Sequence, residues 1–269
     1  MCRLLGYVSD RPRAVADLLG EDGVESFTSL TAVHADGWGM AWRDEDAEAT
    51  RTATSPRTAA TDDEYQRLVR QPLAAAGLVH LRWATGGLPV RPENTHPFFE
   101  DGYAFAHNGH VSPISRIEAL LTRESRSALI GDTDSERYFR FVLQCMREDD
   151  NEVGGFTRAL GTMIQRFPHS SLNALMLTPE RMYAIHINSK ADSPLRALRE
   201  LFDDEDDIPD RHTDEYFAMD YRVTDDSIQI VSSGLDEPGW DPVPADTAVM
   251  IDLGTREVTR LDPIISMAD

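Results

Sequence analysis

Apolar and polar positions follow two rhythms along this chain, period two in short runs and period 3.6 in longer ones. The run Leu4-Leu5-Gly6-Tyr7-Val8 predicts a buried strand that anchors the N-terminus inside the fold. Arg13 to Leu19 predicts a short helix ending at Gly20, followed by a second apolar piece from Val24 to Thr31. Gly39 to Trp42 enters a strand, Asp44 to Glu48 is an acidic turn, and Ala49 to Thr54 is an edge strand. Asp62 to Arg70 reads as a helix, with Thr61 as its N-cap and Glu64 completing a capping box. Leu78 to Trp83 is a strand that delivers Arg82 to the loop Ala84-Thr85-Gly86-Gly87. Pro89, Pro92 and Pro97 keep residues 88–99 irregular. Tyr103 to His107 is a strand stopping at Asn108-Gly109, and Ile114 to Leu121 is a helix.

Thr133-Asp134-Ser135 caps a longer helix through Met146. Tyr138, Phe141, Val142 and Cys145 lie on one face of it, so Cys145 is a core thiol. Phe156 to Phe167 is helical. Leu172 to Leu177 and Met182 to Ile187 are strands joined by a Thr-Pro-Glu-Arg turn. Asp203 to Asp214 is an acidic, solvated loop. Phe217 to Val223 and Ser227 to Val231 are strands, and Ala248 to Leu253 with Glu257 to Leu261 make a hairpin around Gly254. Strands, then helices, then strands is not the alternation of a doubly wound sheet. The order predicts an α+β fold of two stacked antiparallel sheets with helices outside. No internal repeat or flexible linker divides the 269 residues, so one domain is expected.

Charge changes the picture more than composition does. A hydrophobic content of 41% is ordinary, but the formal net charge is −21. Lys190 is the only lysine, the other basic residues being arginine. The acids are spread along the whole chain, which points to a high-salt cytoplasm where screening relieves self-repulsion. No basic patch stands out to meet phosphates, so nucleic acid is not an expected partner. No apolar window approaches the roughly 18 residues of a membrane span, and the N-terminus turns polar at Ser9-Asp10-Arg11, so neither membrane nor signal peptide is expected. Cys2 and Cys145 do not make a disulfide framework.

Cys2 follows the initiator Met1. Loss of Met1 would leave a thiol and a free α-amine on one residue. A cysteine thiol, with reference pKa about 8.5, is mostly protonated at pH 7, whereas an α-amine titrating at about 7.7–8.0 is a competent base. An N-terminal Cys therefore holds nucleophile and base on one backbone unit. Attack on an amide carbonyl creates an oxyanion, which the side-chain amide of Asn108 and the backbone N–H of Gly109 are placed to receive. Arg82 suits a bidentate grip on a carboxylate, and Asp134 suits an ammonium. Bland roles stand beside these: Asn108-Gly109 as a hairpin turn, Arg82 as a surface charge, Asp134 as a helix cap, and His34, His96 and His107 as loop-ordering or core hydrogen-bonders.

Taken together, Cys2-Arg3-Leu4-Leu5-Gly6-Tyr7, His34-Ala35-Asp36-Gly37-Trp38-Gly39, Arg82-Trp83-Ala84-Thr85-Gly86, Asn94-Thr95-His96-Pro97, His107-Asn108-Gly109 and Asp132-Thr133-Asp134-Ser135-Glu136 resemble, in order, the class II glutamine amidotransferases. Val231-Ser232-Ser233 followed by Trp240 resembles the closing segment of the stand-alone members. The resemblance implies an N-terminal-nucleophile hydrolase fold, a four-layer αββα sandwich, with no metal or cofactor. It implies Cys2 as nucleophile with its own amine as base, and Asn108 and Gly109 as oxyanion hole. Arg82 would hold the α-carboxylate and Asp134 the α-amine, with Trp83, Thr85 and His96 shaping the pocket. The glucosamine-6-phosphate-synthase branch carries a His where Gly86 stands here, so the chain is more similar to the short γ-glutamyl hydrolases of ergothioneine synthesis and glutathione breakdown.

Four functions follow as expectations. The first is an amidohydrolase releasing glutamate from glutamine or another γ-glutamyl small molecule. The second is the ammonia-producing subunit of a two-protein synthase, with its acceptor enzyme as partner because no second catalytic domain follows residue 269. The third is a metallohydrolase using some of His34, Asp36, His80, His96, His107 and His110, whose spacing matches no zinc motif. The fourth is a non-catalytic binding protein that has kept the pocket.

Overall fold

The computed structural model describes residues 2–44, 49–84, 88–204, 208–209, 211–232, 235 and 238–263. One sheet is built from β1 (Cys2–Arg13), β2 (Trp38–Asp44), β3 (Ala49–Ser55) and β4 (Ala74–Arg82), joined later by β9 (Asp220–Val223), β10 (Ser227–Val231) and β11 (Asp241–Pro242). The second sheet is built from β5 (Phe98–Glu100), β6 (Tyr103–Asn108), β7 (Asn173–Leu177), β8 (Arg181–His186), β12 (Thr247–Asp252) and β13 (Val258–Leu261). The strand orders are β11-β9-β10-β1-β4-β2-β3 and β13-β12-β8-β7-β6-β5. The pairings are antiparallel, so β1 sits in the middle of its sheet between β10 and β4.

Alternation along each strand makes two cores of one sheet. Leu4, Val8, Ala41 and Leu78 face Ala104, Ala106, Leu175 and Leu177 of the other sheet, and these small and medium side chains bring the sheets together. The opposite parity, Leu5, Tyr7, Met40 and Val79, packs under α1 (Val15–Ser29) and α2 (Asp63–Leu68). Phe105, Ala174, Met176 and Tyr183 pack under α5 (Asp134–Glu148) and α6 (Glu152–Arg166). Short helices α3 (Ile114–Glu118) and α4 (Arg123–Ser127) precede α5, and α7 (Leu195–Arg199) follows β8. The result is the expected αββα layering. Cys145 is buried in the α5–α6 core, as its periodicity implied, and β3 lies at a sheet edge.

Several local expectations change. β1 runs on past Val8 to Arg13, continued by a bulge that brings Arg13 opposite Ala74. Gly20 breaks α1 with φ of +76°, and the chain turns helical again beyond it, which absorbs the second apolar piece. The cap of α2 is Asp62, not Thr61: its carboxylate accepts from Glu64 N–H and also from Trp38 Nε1 at 3.0 Å and Ser55 Oγ at 2.8 Å. Ile114 to Leu121 yields only α3, and β9 begins at Asp220 rather than Phe217. The acidic insertion is not wholly solvated, because His212 is 1% exposed. Residues 205–207 and 210 of that loop, residues 45–48 of the acidic turn, and Ser233 lie outside the described residues. Trp240 packs against the core under α1 and α2, with the Arg222 guanidinium 4.7 Å above its ring. Among the described residues, no helix is long and apolar enough to cross a membrane.

Candidate active site

Cys2 is the first residue of β1 and sits opposite Arg82, the last residue of β4. Both are buried, at 6% and 3% exposure. The stretch after His34 is clipped to the end of β4: Asp36 N–H donates to the Arg82 carbonyl (3.0 Å) and Arg82 N–H to the Gly37 carbonyl (2.8 Å). The Asp36 carboxylate accepts from Ala84 N–H at 2.7 Å. These bonds hold the two motifs side by side. The Arg82 guanidinium donates to the carbonyls of Asp36 and Pro89, each at 3.3 Å, and holds its charge at any working pH.

The second sheet contributes Asn108, the last residue of β6. Its Oδ1 accepts from Cys2 N at 3.1 Å. An N–H can only meet the oxygen end of that amide, so Nδ2 points away from Cys2 N, and it is buried with no partner. The turn behind it is held rigidly. Ser171 Oγ donates to the Asn108 carbonyl at 2.9 Å. A Cβ at Gly109 would lie 2.0 Å from the Ser171 carbonyl oxygen, so only glycine fits. His107 Nε2 lies 2.9 Å from that same carbonyl and Nδ1 lies 2.9 Å from Ser135 Oγ. A carbonyl only accepts, so Nε2 carries the proton and Nδ1 accepts from Ser135. Burial pushes the His107 pKa down, which keeps that tautomer neutral. His107 therefore orders the turn, as its plainer reading held.

Asp134 is the first residue of α5, and Thr133 is the cap. Its carboxylate accepts from Val111 N–H and Ser135 N–H and faces His110 Nδ1 at 3.3 Å. Burial alone would raise its pKa; the hydrogen bonds from His110 and Val111 and the nearby His107 outweigh burial and hold it below the usual carboxylate range. The same contact raises His110. Asp134 thus sits against the turn that carries Asn108 and Gly109.

His96 lies on His80 with ring centroids 4.2 Å apart, and Phe98 flanks it at 4.7 Å. Ligand atoms of Cys2, His80 and His96 all fall within 4.8 Å of one another. His34, Asp36, His107 and His110, the other members of the metallohydrolase expectation, are not in that group. Trp83 packs with Val33, Leu198, Tyr216 and Phe217. Thr85 lies outside the described residues.

Pattern reasoning missed Arg3 and His212. Arg3, fully buried beside Cys2, donates from Nη1 to the carbonyls of Cys2 (3.1 Å) and Tyr216 (3.3 Å). Its Nη2 meets His212 Nε2 at 3.0 Å, and His34 Nε2 meets the same atom at 3.0 Å. A guanidinium only donates, so His212 Nε2 is the acceptor and His34 Nε2 carries a proton. An arginine inside a run buried on both faces was the available signal for Arg3. His212 had none, because its contact spans 209 positions.

Solved structures share the fold. A glutamine aminotransferase class-II domain protein from Silicibacter pomeroyi superposes with a TM-score of 0.62 at 18% identity, covering 97% of this chain and 99% of that one. The phosphoribosylpyrophosphate amidotransferase of Bacillus subtilis superposes with a TM-score of 0.64 at 15% identity, covering 99% of this chain and 50% of that one. The sandwich is the N-terminal-nucleophile hydrolase fold. Residues 1–244 match the family profile of the glutamine amidotransferases class-II, and the chain belongs to that family. A glutamine–fructose-6-phosphate aminotransferase of Agrobacterium fabrum is 31% identical over 150 residues, 55% of this chain but 22% of that protein. The chain thus spans about a fifth of that relative's length. The γ-glutamyl-hercynylcysteine sulfoxide hydrolase of Mycolicibacterium smegmatis is 26% identical over 228 residues, 79% of this chain and 94% of that enzyme.

Proposed function

We propose that residues 2–269, once Met1 is removed, form one amidotransferase domain that hydrolyses the side-chain amide of glutamine or a γ-glutamyl compound through a thioester on Cys2. One observation carries this reading: Cys2 N is held by Asn108 Oδ1, while the buried Asn108 Nδ2 is left without a partner. An unpaired buried donor costs about 1–3 kcal/mol, so a fold keeps one where a transient acceptor arrives.

In the processed chain Cys2 N is an amine. It takes the thiol proton as Sγ attacks the carbonyl carbon. The carbonyl π-electrons move to oxygen, and Asn108 Nδ2 with Gly109 N–H receive the oxyanion. Collapse breaks the C–N bond, and the α-ammonium returns its proton to the leaving amine. Water, deprotonated by the same amine, then adds to the thioester carbonyl, the C–S bond breaks to release the γ-carboxyl product, and the ammonium returns its proton to Sγ. The Arg82 guanidinium suits the substrate's α-carboxylate and Asp134 its ammonium, with His96 and Trp83 as walls. The near-full-length alignment with a γ-glutamyl hydrolase favours free hydrolysis over delivery of ammonia to an acceptor enzyme. The net charge of −21 and the single lysine suit a high-salt cytoplasm.

The test is a screen of glutamine, glutathione and γ-glutamyl amides against the Met1-processed protein in high salt, reading glutamate release with and without candidate acceptor proteins. Cys2→Ala abolishes release while calorimetric substrate binding persists. Turnover by Cys2→Ala, or by protein that retains Met1, would end this reading.

A further inference from the structure

We propose that Cys2, His80 and His96 form a three-ligand site for a zinc-class divalent cation that caps the sulfur and switches the enzyme off. The inhibitory role rests on Cys2 as nucleophile; the binding site does not. The three side chains reach one spot from three segments. Leu4 is opposite His80 while Cys2 is opposite Arg82, so His80 lies two positions along β4 from the Cys2 pair and on the same face. His80 is also opposite Gly39 on β2. A Cβ at Gly39 would lie 1.9 Å from the His96 carbonyl oxygen, so this glycine lets the loop carrying His96 settle directly over His80.

The donors are available. None of the four ring nitrogens of His80 and His96 closes a hydrogen bond, although His80 faces the His107 backbone, and the residues are 0% and 3% exposed. The neighbouring buried His107, by contrast, is held at both ring nitrogens, by Ser135 and by Ser171. A neutral imidazole offers a ring-nitrogen lone pair, so each ring can supply one donor to a cation.

The chemistry of the set selects the ion. One thiolate with two imidazoles suits zinc and its near relatives, whereas magnesium and calcium require oxygen donors that this set lacks. Bonds of ~2.3 Å to sulfur and ~2.0 Å to nitrogen on a tetrahedron place ligand atoms about 3.3–3.6 Å apart. Contacts within 4.8 Å reach that by drawing in about 1 Å through side-chain torsions. Binding displaces the thiol proton to solvent and forms the S–metal bond, so one proton leaves per ion. The α-amine of processed Cys2 can chelate alongside its own sulfur, which would tie up the base as well. The Arg82 guanidinium, on the residue paired with Cys2, opposes the bound positive charge. That opposition favours a reversible cap over a permanent structural ion.

The experiment uses Met1-processed, chelator-treated full chain, titrated with Zn²⁺ by calorimetry and with Co²⁺ by absorption. One ion binds per chain, and Co²⁺ develops a thiolate charge-transfer band together with tetrahedral ligand-field bands. Cys2→Ala loses the charge-transfer band. His80→Ala and His96→Ala each weaken binding by more than the roughly 10–100-fold that loss of an outer-shell partner costs, and His169→Ala, an exposed histidine, changes nothing. Where a histidine variant fails to fold by circular dichroism, the wild-type cobalt spectrum alone decides whether sulfur is a ligand. Absence of stoichiometric binding, or a cobalt spectrum without sulfur charge transfer, overturns the site. Saturating zinc that leaves γ-glutamyl turnover unchanged overturns the switch. A protein without turnover leaves the site to be judged by the spectra.

Discussion

Two buried polar groups flank Cys2, and they are built on opposite plans. On one side Arg3, His34 and His212 form a linked set that ends on the Cys2 carbonyl, with the Arg3 guanidinium 4.1 Å above the Tyr216 ring. On the other side Asn108 Nδ2 and both rings of His80 and His96 are buried without hydrogen-bond partners. The linked set recovers in hydrogen bonds much of what desolvation costs, and it fixes the backbone of the first strand residue. The unlinked set leaves that cost standing, which a fold tolerates where strain and unpaired groups serve a site. The two sides of Cys2 thus differ in how fully hydrogen bonds hold them, although Arg3 Nε and Tyr216 Oη on the linked side are also buried without partners.

The contrast breaks hardest at Asn108. Asn108→Ala removes both the acceptor that holds Cys2 N and the free donor. kcat for γ-glutamyl hydrolysis falls roughly 10²–10³-fold, about 2.7–4 kcal/mol of barrier, as for other oxyanion donors. Steady-state kinetics on the screened substrate checks it. A fall below tenfold would mean that Nδ2 does not meet the developing charge.

On the linked side the expected loss is in stability. Arg3→Met keeps the stem but leaves the carbonyls of Cys2 and Tyr216 without a donor, and the relief of a buried charge offsets part of that. Unfolding free energy in urea drops by about 2 kcal/mol. Arg3→Lys does not restore it, because a point ammonium cannot reproduce a planar fork that meets two carbonyls and a ring nitrogen. A lysine variant as stable as the parent would show that the fork geometry is idle.

How much of this was legible follows from where each signal lives. The strand at Leu4 to Val8 and the strand ending at Asn108 announce themselves by short apolar runs bounded by polar or glycine residues, because both are sandwiched between layers. Cys2, Arg82 and Asn108 stood out as reactive groups at strand ends. His80 stood among the candidate metal ligands, but its grouping with Cys2 shows only once the loop carrying His96 is laid over it. The cap of α2 was misplaced by one residue because Thr61 and Asp62 are both good caps, and only the contacts to Trp38 and Ser55 decide between them. β1 past Val8 is polar, so its extension rests on pairing with Ala74 rather than on any periodicity. The burial of His212 depends on Arg3, far away in the chain, and an acidic neighbourhood pointed the other way.

The smallest effect sharpens the comparison from the unlinked side and is read in the pH dependence of stability. His96 is held neutral, its pKa driven well below 6.5 by burial and then by His80, His107 and Arg82. Between pH 6.5 and its folded pKa the unfolded chain binds a proton that the folded chain refuses. Stability from this group is therefore complete above about pH 6.5 and lost as pH falls. The loss deepens as pH falls below 6.5, the unfolded value. His96→Gln deletes that proton, so urea unfolding in chelator shows a shallower decline over this window, the change being one proton's share. His110, raised by its hydrogen bond to Asp134, works in the opposite sense: its contribution is present below 6.5 and fades as pH rises through its folded pKa. An unchanged slope in His96→Gln would mean that the ring takes up its proton as readily inside the protein as outside, and the contrast between the two polar groups would lose its unlinked half.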